Sequence, residues 1–420
     1  METYAQVLTY AIPGFVALIV IESLVAKMMN LSVNEPMDTI SSLSSGMTNT
    51  LKSLIGLSIV ILSYDFMESK IGLFDIQSSV WLFVLAFVGL DFAGYWSHRF
   101  NHKINIMWNR HVIHHSSEEF NLSCALRQTI SSFVGVYFFL YVPLAIIGIP
   151  ANVIAITAPL HLFAQFWYHT RVINKMGFLE HIIVTPSHHR VHHAINDIYI
   201  DKNFSEIFIL WDKWFGTFQE ELENEPPVYG ILKQANTWNP ILINFMHVWQ
   251  LTKDAWRTNN VIDKFRIWFM PTGWRPSDVI DKYPVQIVTD VHKREKYSTY
   301  ETTAMQIWSW FQLIVHNVLI YHLLINVADF NVNLITIYVI FLMVSIFAYT
   351  SLMDRHPISI PVEFLKALIG SLILINLGGW IGGGYTFSIP TLMMISYIIL
   401  SLLMSLYFSF FEKAKQASFS

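Results

Sequence analysis

The stretch Val80-Trp-Leu-Phe-Val-Leu-Ala-Phe-Val-Gly-Leu-Asp91-Phe-Ala-Gly-Tyr95-Trp-Ser-His98-Arg-Phe-Asn-His102 decides the fold. A run apolar enough to enter a bilayer ends directly in two imidazoles. Asp91, Tyr95, His98 and His102 fall at i, i+4, i+7 and i+11, one stripe of a helix. Two further clusters follow, His111-Val-Ile-His114-His115 and His189-Arg-Val-His192-His193, both at i, i+3, i+4. Such offsets place side chains on one helical face. Of seventeen histidines, twelve lie between His98 and His193, so the clusters concentrate most of the imidazole in the chain. Imidazole is the commonest protein metal ligand and binds as the neutral ring. Three such faces converge on a shared site, and their eight rings suffice for two ions without a buried carboxylate.

Composition agrees with a membrane setting. The 420 residues are 54% hydrophobic and only 13% charged, against roughly 25% charged in soluble domains. A net charge of -4 gives no footing for nucleic acid. The one cysteine, Cys124, excludes a disulfide framework, a multi-thiolate zinc site and a four-cysteine iron–sulfur cluster. The N-terminus lacks a basic region, and its apolar run is too long for a cleaved signal, so it reads as a first membrane helix.

Nine apolar segments are expected, at about 4–27, 47–67, 79–96, 129–149, 152–168, 304–327, 334–352, 362–380 and 390–411. The second is the weakest, because it contains Lys52 and Asp65. Residues 171–301 form a polar stretch with Trp/Phe-rich interfacial pieces. Arg99, Lys103, Arg110, Arg127, Arg171, Lys175, Arg355, Lys413 and Lys415 all fall on one side if there are nine spans. The positive-inside bias then places the N-terminus outside and every histidine cluster at the cytoplasmic boundary. The expected architecture is an all-α, polytopic integral membrane helical bundle with a histidine-rich di-metal site on its cytoplasmic face. Its divisions are N-terminal membrane helices at 1–78, a catalytic domain at 79–285 and a C-terminal transmembrane block at 300–412.

Asp91 lies a turn or two inside the bilayer edge, where an acid is costly and reads as functional. Its expected role is to accept a hydrogen bond from a ligand imidazole and fix the tautomer; the plainer reading is an N–H acceptor for a neighbouring helix. Thr185 and Pro186 open a helix that carries the third cluster. His188 precedes its triplet and points elsewhere, as a supporting donor or a pocket wall. His161, Gln165 and His169 make a fourth stripe, with His169 as an additional ligand and His161 as a hydrogen-bonded packing residue. His247, His292, His316, His322 and His356 read as structural.

Zinc, copper, iron and nickel all take imidazole. Catalytic zinc normally uses three protein ligands, and no H-E-x-x-H is present. Two irons open to dioxygen fit the ligand count better, and such a centre oxidises unactivated C–H bonds. A site at the bilayer edge implies a lipid substrate.

H-x3-H, H-x2-H-H and H-x2-H-H, in this order between these membrane segments, resemble the fatty acid hydroxylase / sterol desaturase superfamily of membrane di-iron oxygenases. Within it, the alkylglycerol monooxygenases are most similar. The similarity runs through Asn105-Ile-Met-Trp108, His114-His-Ser-Ser-Glu118, Ala125-Leu-Arg-Gln128, Gln165-Phe-Trp-Tyr-His169, Asp201-Lys-Asn-Phe204 and Trp211-Asp-Lys-Trp-Phe-Gly-Thr-Phe218. The resemblance implies metal ligands at His98, His102, His111, His114, His115, His189, His192 and His193, with His169 as the extra histidine before the last box. It implies hydroxylation of the ether-linked carbon of an alkylglycerol lipid with dioxygen, and tetrahydrobiopterin as reductant. It also implies an acid directly after His102, where this sequence has Lys103; the charge reversal leaves the electron donor and the lipid open. A hydroxylase or desaturase acting on an acyl chain, sterol or carotenoid is the alternative in the same class. A metal transporter is the alternative in a different class, but strict helical spacing at span ends fits it poorly.

Overall fold

The computed structural model describes residues 2–55, 64–77, 79–132, 138–381 and 388–412. It is all-helical. In chain order the helices are α1 Glu2–Met28, α2 Pro36–Leu54, α3 Tyr64–Ile71, α4 Val80–Lys103, α5 Asn105–His115, α6 Phe138–Ile147, α7 Ala151–Phe163 and α8 Pro186–His192. They continue as α9 Leu210–Phe215, α10 Pro240–Arg257, α11 Val261–Arg266, α12 Ser277–Ile280, α13 Thr303–Ile325, α14 Val332–Met353, α15 Ser359–Leu377 and α16 Ile389–Leu406. Among the described residues, six helices are long and apolar enough to cross a membrane: those at Ala5–Met28, Val80–Lys103, Thr303–Ile325, Val332–Met353, Ser359–Leu377 and Ile389–Glu412. The protein is a multi-pass membrane protein.

Three of the nine expected spans are not among these six, and parts of the second and fourth lie outside the described residues. Across the second segment the chain forms α2 and α3, with residues 56–63 outside the described set. α2 is serine-rich, and its Ser41, Ser42, Ser44, Ser45 and Thr48 are buried against protein, so it is a polar helix clothed by neighbours. The fourth and fifth segments form α6 and α7, with residues 133–137 outside the described set. Their ten and thirteen residues give lengths of about 15 and 20 Å, short of the roughly 30 Å of hydrocarbon. Gly148, at φ +86°, turns the chain between them, where an added Cβ would strike the Phe74 carbonyl. Lys413 and Lys415, counted for orientation, lie outside the described residues.

Two bodies of packing flank the histidines. Leu82, Ala86 and Leu90 of α4 pack with Leu144, Ile149, Val153 and Ile154 of the α6–α7 hairpin. The larger core joins α1, α2 and the antiparallel C-terminal helices α13–α16. Inside that block, Lys366 is buried with Glu363 (2.5 Å) and Ser401 (2.5 Å), so its charge is paired away from lipid. The polar stretch folds as short helices and loops over the ends of α4 and α5. Its Trp214, Trp249, Trp256, Phe265 and Phe269 are exposed, as side chains at a membrane interface are.

Candidate metal centre

α4 starts with Ser79 as N-cap, its Oγ accepting from the Leu82 amide at 3.3 Å. The helix carries His98 and His102 in its last two turns. A single extended residue, Ile104, reverses the chain into α5, which carries His111, His114 and His115. Asn105 clamps that corner by donating to the carbonyls of Ile267 (2.9 Å) and Trp274 (3.0 Å). α8 opens with Pro186 in its first turn. His188 closes a capping box with Thr185, its Nδ1 accepting from the Thr185 amide at 3.3 Å. That use turns His188 away from the other imidazoles and onto Phe218. Burial pushes its pKa down to about 4.

The clustered histidines form two sets. In one, ring nitrogens of His98, His102, His111, His115 and His192 all lie within 4.8 Å of one another; in the other, those of His114, His169, His189 and His193 do. Helical geometry explains the division. Residues i and i+4 differ by about 40° around the axis, whereas i+3 falls about 60° to the other side. Hence α5 gives His111 and His115 to one set and His114 to the other. α8 gives His189 and His193 to one and His192 to the other. The fourth stripe behaves differently from the sequence expectation. α7 ends at Phe163, and the next residues bond i→i−3, as Gln165 to Leu162 and Phe166 to Phe163. His169 still reaches its set, through the turn rather than along a helix.

The nitrogens are crowded and under-partnered. His98 Nε2 is 2.8 Å from His111 Nε2; His189 Nε2 is 2.8 Å from His169 Nε2 and 3.1 Å from His193 Nε2; His114 Nε2 is 3.1 Å from His193 Nε2. The buried Nε2 atoms of His102, His115 and His192 have no hydrogen-bond partner. Buried polar atoms are normally satisfied, and lone pairs crowded together repel. A cation at each focus resolves both problems, so the donor sets fit metal ions. Burial, reinforced by neighbouring imidazoles, holds His111, His115, His169, His189, His192 and His193 well below the usual histidine range, and His114 down to about 4. The rings are neutral at pH 7, as ligation requires.

Hydrogen bonds on the far nitrogen aim several rings. Nδ1 of His98 donates to the Phe204 carbonyl (2.8 Å), Nδ1 of His192 to the Lys202 carbonyl (2.9 Å), and Nδ1 of His169 to the Gln165 carbonyl (3.0 Å). Each bond fixes the tautomer that leaves Nε2 bare. The segment 201–204 thus serves two rings of the five-imidazole set, and Asp201 Oδ1 stands 3.7 Å from Nδ1 of a third, His102. Asp201 and Asn203 adopt positive φ, 60° and 53°, a conformation Asp and Asn tolerate better than most residues. Lys103 pairs with Asp201 at 2.6 Å. Burial raises the Asp201 pKa, but the hydrogen bonds from His102 and Lys103 outweigh it and hold it below the usual range.

Asp91 does not meet an imidazole of the three boxes. It accepts from His161 Nε2 (2.8 Å), the Ile207 and Phe208 amides (2.8 and 3.0 Å) and Trp211 Nε1 (2.7 Å). On α4 it faces the loop, not the rings, so it anchors the far end of the loop that holds His98 and His192. Asp212 anchors the near end, accepting from the Phe204 and Ser205 amides, both at 2.8 Å. His161, expected as a packing residue, joins Asp91 and Glu206 in a third group whose ligand atoms lie within 4.8 Å. Burial pushes the Glu206 pKa up to about 7. Sequence reasoning assigned no role to Asp201, Lys202, Phe204, Glu206 or Asp212; a signal was present in the Asp201–Phe204 and Trp211–Phe218 motifs, which lack any ligand-like spacing. His247 donates to the Asn105 carbonyl (2.9 Å) and braces α5. His292, His316, His322 and His356 belong to neither set.

Residues 83–217, from α4 through α9, match the fatty acid hydroxylase family. Alkylglycerol monooxygenase of Homo sapiens is 34% identical over 371 residues, covering 88% of this chain and 82% of that protein. The chain belongs to the fatty acid hydroxylase family, on its alkylglycerol monooxygenase branch. Alkylglycerol monooxygenase of Danio rerio is 32% identical across 91% of this chain and 84% of its own length. An ornithine lipid hydroxylase of Rhizobium tropici is 28% identical over 138 residues, 32% of this chain and 41% of that one. No solved structure matches the chain. The family match contains both imidazole sets, Asp91 and Glu206. The histidine sets are consistent with the metal site of this family, and the chain is a membrane enzyme of the lipid-hydroxylating kind.

Proposed function

We propose that the chain is a di-iron monooxygenase that hydroxylates the ether-linked carbon of an alkylglycerol lipid. The observation that carries this reading is the division of nine imidazoles into sets of five and four. One iron would be held by His98, His102, His111, His115 and His192, the other by His114, His169, His189 and His193. Bound there, the irons supply dioxygen activation strong enough to oxidise a C–H bond. The chain's own work is to keep nine rings neutral, to aim them through Nδ1 bonds, and to exclude bulk water by burying them. One oxygen atom ends on the carbon next to the ether oxygen. The other leaves as water, with two electrons from a reductant and two protons. The hydroxylated product is a hemiacetal, which splits into a fatty aldehyde and a glycerol derivative.

The Lys/Arg distribution supports a site on the cytoplasmic side, within a catalytic portion at 79–285 flanked by membrane helices at 1–78 and 300–412. The reductant is tetrahydrobiopterin or another electron donor. Lys103, paired to Asp201 beside His102, makes that choice specific to this chain. The test is lipid profiling of membranes with and without the protein, under oxygen, with tetrahydrobiopterin and with other donors supplied in turn. Fatty aldehyde released from alkylglycerol supports the reading. A hydroxylated lipid that stays intact, on an acyl chain, sterol or carotenoid, replaces it with the alternative from the same superfamily.

A further inference from the structure

The serine-rich helix α2 lies outside the residues that match the family, yet one of its faces is bonded to the chain beside the metal centre. Asp38, Ser42, Ser45 and Lys52 fall at i, i+4, i+7 and i+14, a single stripe. All four reach the segment 127–132. Asp38 Oδ2 accepts from Arg127 Nη2 and Ser42 Oγ from Arg127 Nε, both at 2.9 Å. Ser45 Oγ meets the amide and the carbonyl of Gln128, each at 3.1 Å. Lys52 Nζ donates to the Ser132 carbonyl at 2.7 Å. Gly46 permits the close approach: a Cβ there would stand 3.1 Å from the Leu126 carbonyl oxygen. The stripe thus accounts for a hydroxyl-rich helix buried in protein, since buried polar atoms need partners.

The segment that α2 holds aims a ring. The Arg127 carbonyl accepts from His114 Nδ1 at 3.3 Å, which leaves His114 Nε2 bare toward His169 Nε2 (3.3 Å) and His193 Nε2 (3.1 Å). The buried Arg127 guanidinium also donates to Ser116 Oγ at 2.7 Å, and Asp38 Oδ1 accepts from the Ser117 hydroxyl at 2.5 Å. Asp38 therefore ties together both ends of the loop that leaves α5 and returns to His114. On the other flank, Glu22 of α1 is buried and accepts from the Leu122 amide (2.7 Å) and the Thr170 hydroxyl (2.5 Å). It joins the middle of the same loop to the residue that follows His169. The Nδ1 bonds of His98 and His192, in the five-imidazole set, go instead to Phe204 and Lys202.

We propose that Asp38 and Glu22 are positioning residues for the four-imidazole set, so that the first two helices of the chain fix where His114 and His169 meet. The proposal rests on the metal-centre reading and deepens it. A buried ion pair is often no more stabilising than apolar side chains of the same volume. What the Asp38–Arg127 pair contributes is place: it holds the Arg127 backbone in one register against α5, with its carbonyl on the His114 ring. Ligand rings depend on such supporting bonds for their orientation. Here the support for one ion comes from outside the family match, which covers residues 83–217.

The test is titration of the full-length, metal-free protein with cobalt(II) alone, whose visible spectrum reports its ligands. A His192→Ala background keeps the four-imidazole set whole, and a His193→Ala background keeps the five-imidazole set whole. Asp38→Asn should weaken cobalt binding by about 10-fold in the first background and leave it unchanged in the second. Glu22→Gln keeps the shape and one acceptor oxygen. It should act on the same set in the same direction by less, and it carries the test if Asp38→Asn does not fold. Equal weakening in both backgrounds is what acids that merely stabilise the fold would give, and it overturns the proposal. Unchanged binding in the first background overturns it as well. Selective weakening in a protein that, loaded with iron, oxidises no lipid removes the oxygenase reading and keeps the positioning role. Normal lipid oxidation with equal or no weakening removes the positioning role alone.

Discussion

The two imidazole sets are built from the same residue type at the same spacings, and they differ in what holds them. The five-membered set leans on one loop: Phe204 and Lys202 present carbonyls to His98 and His192, and Asp201 stands beside His102. The four-membered set is held by scattered neighbours, the carbonyl of Arg127 for His114 (3.3 Å) and that of Gln165 for His169. It also has one ring fewer. With fewer rings, an ion held there would keep more positions open, as catalytic sites do relative to structural ones. The comparison teaches that spacing selects the rings, while the segments around them hold the two sets differently, one through a single loop and the other through scattered carbonyls.

The sharpest way to break this division is to remove one ring from each set. His192→Ala and His193→Ala should each abolish oxygen-dependent lipid oxidation while leaving membrane insertion unchanged. Retained turnover in either would remove that ring from its set. Next in size is the loop. Asp212→Ala frees the Phe204 and Ser205 amides and should loosen the five-imidazole set by about 10–100-fold in metal affinity, with the four-imidazole set little affected. A chelator titration that finds both sets weakened equally would show that the loop does not serve one set in particular.

Asp91→Asn should cost less than losing a ring, because Asp91 reaches the imidazoles only through the loop and His161. A reduction in turnover with iron content retained is expected; complete loss of iron would give Asp91 a more direct part. Acidity gives a comparable effect in the metal-free protein. The buried rings have folded-state pKa values below the unfolded value, near 4 for His114. As pH falls from about 6.5 toward 4 the unfolded chain takes up protons that the folded rings refuse, and stability is lost. Glu206 works in the opposite sense. Its folded pKa of about 7 lets the folded state hold a proton that the unfolded chain releases above about 4.5, so its contribution improves on acidification through that window. Thermal unfolding of metal-free protein should show net destabilisation below pH 6, since the clustered rings outnumber the carboxyls that burial holds high, Glu35, Glu119, Glu206, Asp212 and Asp354 among them. The smallest effect is expected at Lys103. Its pair with Asp201 is nearly half exposed, and such pairs contribute about 1 kcal/mol or less. Lys103→Glu should barely move the melting temperature, so any large change in preference between tetrahydrobiopterin and another donor reads directly on reductant choice.

Much of this was legible from the chain because imidazoles at helical spacing leave a periodic trace. His98, His102 and the two triplets are grouped by that trace, and the apolar run ahead of His98 fixes the membrane setting. Spacing splits each triplet into a pair and a single ring, but which pair joins which single ring was not legible, since that depends on how α4, α5 and α8 are rotated against each other. Nor were Asp201, Lys202 and Phe204, two of which act through backbone carbonyls that any residue carries. Asp91 stood on the right stripe for a partner to His98, yet the same helix edge faces the 204–211 loop, whose amides and indole take its lone pairs. The fifth expected span was not legible as a short helix, because its apolar residues continue past Phe163 into the turn that carries His169.

Metal per chain tests the centre most directly. Protein purified from iron-supplied cells should carry two irons in the wild type and one in His192→Ala and in His193→Ala, with different X-ray absorption spectra for the single ion left in each. A wild type that holds one ion, or variants that lose both together, would contradict two separately held ions.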